Sequence, residues 1–203
     1  MLDELNQKFL KLKPFHVKNV VRNLMDWEQL EHLLNLRPFT NSKRFIFSLE
    51  KKYSWPAGGW LTDYDSLPPQ IIQELIDENV CYLRDASRVN KNINTVASDL
   101  EKIFLTPVDA HIFFYLNKSK TNNLGFGKHK DYSHNLITLA KGKQKIKVWF
   151  DNNETTYDLE EGDGVFVPAN VFHQVIADQK RIGVSFPINT TLAFMQERQW
   201  IEL

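Results

Sequence analysis

Two histidines and one aspartate in the second half of the chain have the residue types and spacing of a metal site. His129 and Asp131 are two residues apart, and His173 lies further along behind a glycine-rich, acidic turn. On a β-strand, His129 and Asp131 would share one face because strand side chains repeat with period two. Two imidazoles and one carboxylate that meet at one point suit Fe(II) and leave coordination positions open for substrate and oxygen.

The residues around this trio predict a β-rich frame. From residue 108 onward, short apolar or alternating runs are separated by Gly, Asn and Asp turns, a pattern typical of an antiparallel barrel or jelly roll. The predicted strands cover residues 108–116, 135–140, 143–150, 156–159, 164–168, 172–177 and 181–188.

The first half of the chain instead has mostly helical periodicity. The spacing predicts helices over 1–12, 17–34, 66–79 and 91–104, with short strands at 44–47 and 80–83. Arg37-Pro38 is expected to end the second helix, because a residue before proline avoids the helical region. We therefore expect a helical region over residues 1–104 packed on a jelly-roll core over 105–203, with the two parts forming one structural unit.

Composition excludes several classes of function. The chain has 203 residues with 25 basic and 25 acidic side chains, so no net field draws it to nucleic acid or acidic lipid. Cys81 is the only cysteine, which rules out an internal disulfide and a cysteine metal cluster. With no long apolar run and a charged N-terminus, the expected location is the cytoplasm and no membrane partner is expected.

The ordered motifs resemble a known family of oxygenases. Gly162-x5-Pro168-x4-His173 looks like the second cupin motif, and His129-x-Asp131 is similar to the metal pair of iron- and 2-oxoglutarate-dependent oxygenases. Leu139-x-x-Gly142 and Trp149 extend the similarity to JmjC-type oxygenases, in particular the bacterial and ribosomal-oxygenase cupin branch. The resemblance covers about residues 65–188 and implies a double-stranded β-helix.

This resemblance implies a hydroxylase that uses Fe(II), 2-oxoglutarate and molecular oxygen. His129, Asp131 and His173 would bind the iron, and the family commonly carries a lysine in the position of Gln144 to bind the distal carboxylate of 2-oxoglutarate. Lys143, Lys145 and Lys147 alternate with Gln144, so period two turns Gln144 inward and leaves the lysines in solvent. The other candidate contacts for the cosubstrate are Tyr115, Asn117, Asn135 and Ser185, with Arg181 as a replacement positive charge.

Several further assignments follow from position. Tyr132, Trp149, Phe172 and the aromatic loop at 53–60 are candidates for shaping the pocket, with core packing as their alternative role. Asp163 is expected to be a turn residue, and His134 does not share the face of the metal pair.

Three functions remain open on the sequence. The first is a 2-oxoglutarate-dependent hydroxylase acting on a peptide, an amino acid or another small molecule, either as a monomer or as a homodimer through the helices of residues 1–34. The second is a metal-dependent cupin enzyme that does not use 2-oxoglutarate, which the replacement of lysine by Gln144 favours. The third is a ligand-binding cupin without catalysis, which the presence of all three metal ligands disfavours.

Overall fold

The structure is a computed structural model that describes residues 7–36, 45–49, 52–54, 73, 76, 80–84, 86–116, 127–177 and 179–188. Within these residues the two longest helices are α1 (Trp27–Leu34) and α2 (Lys91–Phe104), and residues 7–10, 73 and 76 are also helical. The strands are β1 (Phe15–Val17), β2 (Phe45–Leu49), β3 (Lys52–Ser54), β4 (Val80–Leu83), β5 (His111–Tyr115), β6 (His134–Lys141), β7 (Gln144–Phe150), β8 (Asn153–Leu159), β9 (Gly164–Val167), β10 (Phe172–Ile176) and β11 (Arg181–Ile188).

These strands form two facing antiparallel sheets. The larger sheet has eight strands in the order β1-β9-β6-β11-β5-β4-β2-β3, and the smaller has three in the order β10-β7-β8. The chain crosses from one sheet to the other between β6 and β7, and again after β8, β9 and β10. This arrangement confirms the predicted jelly roll.

The two faces of the larger sheet pack against different parts of the protein, one against the helices and one against the smaller sheet. Side chains along each strand alternate between these faces. On β6, Leu136 and Ala140 contact the helical side, whereas Ile137 and Leu139 pack against the smaller sheet. Both faces of this central strand are covered, so six consecutive residues of β6 are buried. The face toward the smaller sheet is the one that carries the candidate functional residues.

The helices cover the outer face of the larger sheet with one continuous apolar cluster. Helix α2 begins where predicted, because the Asn90 side chain accepts a hydrogen bond from the Ile93 amide at 2.8 Å. Its buried residues Ile93, Ala97 and Leu100 join the same cluster as the buried face of β5 and β11. Residues before 104 also supply strands β1 to β4 to the larger sheet, so the N-terminal region shares a sheet with the core.

The predicted helix over 17–34 is wrong in its first half. Val17 belongs to strand β1, and helix α1 starts only at Trp27 behind an Asp26 cap. Between them, Asn19 and Asn23 adopt left-handed backbone angles (φ 53° and 56°), which a helix cannot contain. Tertiary contacts divert this segment, because the Val21 amide donates to the Gly162 carbonyl at 3.2 Å.

Some predicted elements lie partly or wholly outside the described residues. These are the start of the first helix (residues 1–6), the Arg37-Pro38 stop, most of the loop at 53–60 and most of the helix at 66–79. The described parts of the chain contain no helix long and apolar enough to cross a membrane.

Candidate metal centre

The three predicted metal ligands meet at one end of a cavity between the two sheets. One ligand atom each from His129, Asp131 and His173 lies within 4.8 Å of the others. Asp131 Oδ1 is 3.9 Å from His129 Nε2, and Asp131 Oδ2 is 3.5 Å from His173 Nε2. Two atoms that are each about 2.1 Å from one ion lie at most about 4.2 Å apart, and both carboxylate–imidazole separations are below that limit.

The backbone brings the two histidines together by a single bridge between loop and strand. His129 lies before β6, outside any strand, and exchanges two hydrogen bonds with His173 on β10, of 3.0 and 2.8 Å. The Asp131 carbonyl accepts the Asn170 amide at 2.7 Å, which fixes the next part of the same loop. Asp131 therefore reaches the site from a loop rather than from the strand that period two presumed.

Both imidazoles are oriented with one nitrogen toward the candidate metal. His129 Nδ1 lies 2.7 Å from the Gly127 carbonyl, and His173 Nδ1 lies 3.1 Å from the Val171 carbonyl. A carbonyl only accepts, so Nδ1 carries the proton in each ring and Nε2 presents a lone pair. Burial lowers the pKa of His173. The Asp131 carboxylate acts in the opposite direction, and the neighbouring His129 imidazole lowers the pKa further. This favours the neutral ring that binds a metal.

A buried cation lies in the same cavity. Arg181 is only 2% exposed, and its guanidinium donates to Gln144 Oε1 at 2.9 Å. Burial lowers the pKa of Arg181 to about 10, so the group is still charged at neutral pH. Within the described part of the chain, Arg181 Nε and Gln144 Nε2 have no hydrogen-bond partner. One of these donors belongs to the charged guanidinium and the other to the amide beside it. Together they could bind an anion.

The predicted cosubstrate residues are placed as follows. Asn135, Gln144, Arg181 and Ser185 all line the cavity, which has a volume of about 430 Å³. Tyr115 shares one face of β5 with His111 and Phe113, but it packs against Val80 and does not line the cavity. Asn117 lies outside the described residues.

The residues expected to shape the pocket divide into two groups. Tyr132 lines the cavity and is 37% exposed at its mouth. Trp149 and Phe172 lie outside it, with the Lys128 ammonium 4.0 Å and 5.4 Å from their ring centres. The loop at 53–60 is outside the described residues except for Tyr53 and Ser54 at the end of β3.

The remaining two assignments agree with their positions in the fold. His134 Nδ1 accepts the Ala169 amide at 2.9 Å and lies outside the metal trio. Asp163 occupies the turn before β9, where its carboxylate accepts the Asn19 amide at 3.0 Å and lies 3.2 Å from His16 Nε2. It therefore holds the segment after β1 against the jelly roll.

An aromatic wall of the cavity was missed by the sequence analysis. Tyr82 stacks on Phe113 with ring centres 4.9 Å apart and lies parallel to His111 at 6.0 Å. All three residues line the cavity. Alternation along β5 places His111 and Phe113 on one face, but the sequence held no signal that β4 pairs beside that face.

The fold is the jelly roll that the resemblance to JmjC- and cupin-type proteins implies, and the three predicted metal ligands meet in its cavity. The predicted resemblance is therefore confirmed at the level of the fold.

Comparison with solved structures finds proteins of similar fold. The fold is similar to that of the ribosomal oxygenase YcfD from Escherichia coli in complex with cobalt and 2-oxoglutarate, with a TM-score of 0.65 and 16% identity over 97% of this chain. A second crystal structure of YcfD gives a TM-score of 0.63 at 14% identity, again over 97% of this chain. In both cases this chain spans 54% of the length of YcfD. No protein-family profile matches the sequence, and neither does any curated protein.

Proposed function

We propose that this protein is an Fe(II)- and 2-oxoglutarate-dependent oxygenase that hydroxylates a C–H bond of a peptide, an amino acid or another small molecule. The observation that carries the proposal is the shared cavity, which holds three metal ligands and a buried arginine whose Nε has no hydrogen-bond partner among the described residues. The likeness to YcfD, which was crystallised with cobalt and 2-oxoglutarate, supports the same chemistry.

The residues present fit 2-oxoglutarate. Its distal carboxylate would accept from Arg181 Nε and Gln144 Nε2, the two buried donors that lack partners within the described chain. Arg181 is on β11 of the larger sheet and Gln144 is on β7 of the smaller one, so the anion would be held between the sheets. Arg181 thereby supplies the charge that the family's lysine would have supplied from the Gln144 position.

The metal residues also fit Fe(II). Two neutral imidazoles and one carboxylate form a three-ligand face that leaves other coordination positions open. When bound, Fe(II) with 2-oxoglutarate and oxygen supplies oxidative decarboxylation to succinate and carbon dioxide, coupled to insertion of one oxygen atom into a substrate C–H bond. The carbonyls of Gly127 and Val171 keep both imidazoles in the tautomer that this role requires.

The protein's own contribution is orientation and exclusion of water. Val175, Ile137 and Phe113 give the cavity apolar walls between the metal trio and Arg181. The stacked rings of Tyr82 and Phe113 offer a flat surface for the substrate, and Tyr132 stands at the entrance. Burial raises the pKa of Tyr82, so its phenol is a neutral hydrogen-bond donor there.

The experiment measures cosubstrate binding and turnover separately. We expect the Mn(II)-loaded protein to bind 2-oxoglutarate in calorimetry, and the Fe(II) form to convert 2-oxoglutarate into succinate under oxygen when given mixed peptides or a metabolite extract. His129→Ala should abolish both, whereas His32→Ala, which changes an exposed histidine of α1, should change neither. Metal binding without any 2-oxoglutarate binding would contradict the proposal and favour the metal-dependent cupin enzyme of another type.

Substrate, partners and location are predictions rather than findings. We infer a peptide or small-molecule substrate, no nucleic-acid or membrane partner, a cytoplasmic location, and a homodimer as an option to be tested by measuring the mass in solution.

A further inference from the structure

Two consecutive hydrogen bonds, one buried and one partly buried, lead from the larger sheet to the metal ligand Asp131. Ser185 Oγ donates to Asn135 Oδ1 at 2.7 Å, and Asn135 Nδ2 donates to Asp131 Oδ2 at 2.6 Å. Ser185 is 9% exposed and Asn135 is 6% exposed. Both residues were expected from the sequence to contact the cosubstrate.

The direction of these hydrogen bonds follows from chemistry. An ionised carboxylate only accepts, so the Asn135 amide must turn its NH₂ group toward Asp131. Its carbonyl oxygen then faces Ser185. Because that oxygen can only accept, the Ser185 hydroxyl is the donor. The Ser185 proton is thereby committed to Asn135 and is not available to a ligand in the cavity.

We propose that Ser185 and Asn135 are positioning residues for the metal ligand Asp131 rather than binding residues for the cosubstrate. This inference rests on the metal centre of the proposed function. Asp131 lies in a loop, so its backbone is not held by the hydrogen bonds of a strand. The chain of hydrogen bonds ties that side chain to β6 and β11, two paired central strands of the larger sheet.

The same hydrogen bonds determine how the carboxylate presents itself. Asn135 donates to Asp131 Oδ2, the oxygen that lies 3.5 Å from His173 Nε2, while Oδ1 is 3.9 Å from His129 Nε2. Each oxygen of an ionised carboxylate has two lone pairs, so Oδ2 can accept this hydrogen bond and still face the ion. The hydrogen bond therefore restricts rotation of the carboxylate and keeps its oxygens turned toward the two imidazoles.

The test measures metal binding in the absence of 2-oxoglutarate. We expect Asn135→Leu, which keeps the approximate size but loses both polar atoms, to weaken Mn(II) binding about 10–100-fold, as is usual for partners of metal ligands. Ser185→Ala should weaken it in the same direction by a smaller factor, and Ser185→Thr, which restores a hydroxyl, should bind almost as well as the native protein.

Thr138→Val is the matched control. Thr138 lies on the same strand as Asn135, and its buried hydroxyl donates at the same length of 2.7 Å, but to the Val184 carbonyl instead of toward the metal. This variant should lose stability and keep its Mn(II) affinity. The visible spectrum of the Co(II)-loaded protein gives a second measurement, because Asn135→Leu releases the Asp131 carboxylate from its hydrogen bond and should change the ligand geometry around the ion.

Each outcome decides the proposal. Unchanged Mn(II) affinity and an unchanged Co(II) spectrum in Asn135→Leu and Ser185→Ala would overturn it, as would equal losses in Thr138→Val. If Asn135→Leu does not fold, the comparison of Ser185→Ala with Ser185→Thr decides alone. A native protein that binds Mn(II) but never turns over 2-oxoglutarate would defeat the proposed function and leave the positioning role intact, whereas one that binds no metal would overturn both.

Discussion

At the scale of single residues, the decisive feature is a buried positive charge for which the described residues supply no carboxylate partner. Arg181 donates to the Gln144 amide, and burial lowers its pKa. Removing a cation from water without pairing it is costly, so such a group is retained where a ligand completes it. Under the proposed function, this ligand would be the distal carboxylate of 2-oxoglutarate.

Replacing Arg181 by Met tests this assignment. The variant should raise the dissociation constant for 2-oxoglutarate by about 10–100-fold, since a hydrogen bond to a charged group contributes about 1.5–3 kcal/mol. Mn(II) affinity should be unchanged, and thermal stability without ligand should be equal or higher because an unpaired buried charge is gone. Calorimetry and thermal unfolding measure all three, with Lys180→Met, which removes an exposed neighbouring charge, as the control.

The charge of Arg181 also predicts a pH dependence. Its pKa is about 10, so the guanidinium is mostly protonated from pH 7 to 9. This group should therefore cause little change in 2-oxoglutarate affinity over that range. Affinity should fall as the pH rises through 10. The native-state pKa is below that of the unfolded chain, so the cost of burying this charge is present at lower pH and is relieved as the pH rises. An affinity that declined already between pH 7 and 9 would contradict the assignment.

At the scale of elements, the turn between β6 and β7 sets the position of Gln144. Gly142 has a φ of 91°, and a Cβ there would collide with the Lys180 carbonyl at the start of β11. Only glycine combines this backbone angle with such a close approach. The tight turn brings β7 beside Arg181.

Gly142→Ala should therefore destabilise the fold by more than about 1 kcal/mol, through backbone strain and the collision together. It should also weaken 2-oxoglutarate binding, because Gln144 and Arg181 lie on the two strands that the collision forces apart. Chemical denaturation measures the stability change. Gly127→Ala is the control for stability, since a Cβ at Gly127 meets nothing within 4 Å.

The start of α1 provides a second test at this scale. Asp26 accepts the Gln29 amide at 2.8 Å, and the Gln29 side chain accepts the Asp26 amide at 3.1 Å. Asp26→Ala should cost about 1 kcal/mol and lower the melting temperature by about 2–4 °C. Asp26→Asn keeps the cap and should have little effect; equal losses in both variants would contradict a capping role.

At the scale of the whole molecule, the metal would connect separate parts of the fold. His173 belongs to the three-stranded sheet, whereas the loop of His129 and Asp131 leads into β6 of the eight-stranded sheet. An ion bound to all three ligands in the native state, and not in the unfolded chain, stabilises the native state.

Mn(II) at 100 times its dissociation constant should contribute about 2.7 kcal/mol and raise the melting temperature by roughly 5–10 °C. A chelator should reverse the shift, which thermal unfolding at matched ionic strength measures. His129→Ala should abolish it and His32→Ala should retain it. A shift that persisted in His129→Ala would place the binding of Mn(II) elsewhere.

Most strands of the core, helix α2 and the chemistry of the candidate site could be predicted from the sequence. Strand β11 and helix α2 have the predicted bounds, because alternation and helical spacing are local properties of the chain. The inward orientation of Gln144 followed from the same alternation, and its side chain is 3% exposed. The metal trio and the charge of Arg181 could also be named from residue types and order.

Tertiary structure decided everything that depends on which strands are neighbours. Pairing across the two sheets brought Arg181 onto Gln144, put Tyr82 beside Phe113 and turned Asn135 and Ser185 toward Asp131. It also replaced the first half of a predicted helix by strand β1 and a turn segment, since contacts with Gly162 and Asp163 outweigh local helical preference. The alternation of residues along a strand predicts which face of the sheet a side chain lies on. Which side chains it contacts on that face depends on the pairing of strands that are far apart in the sequence.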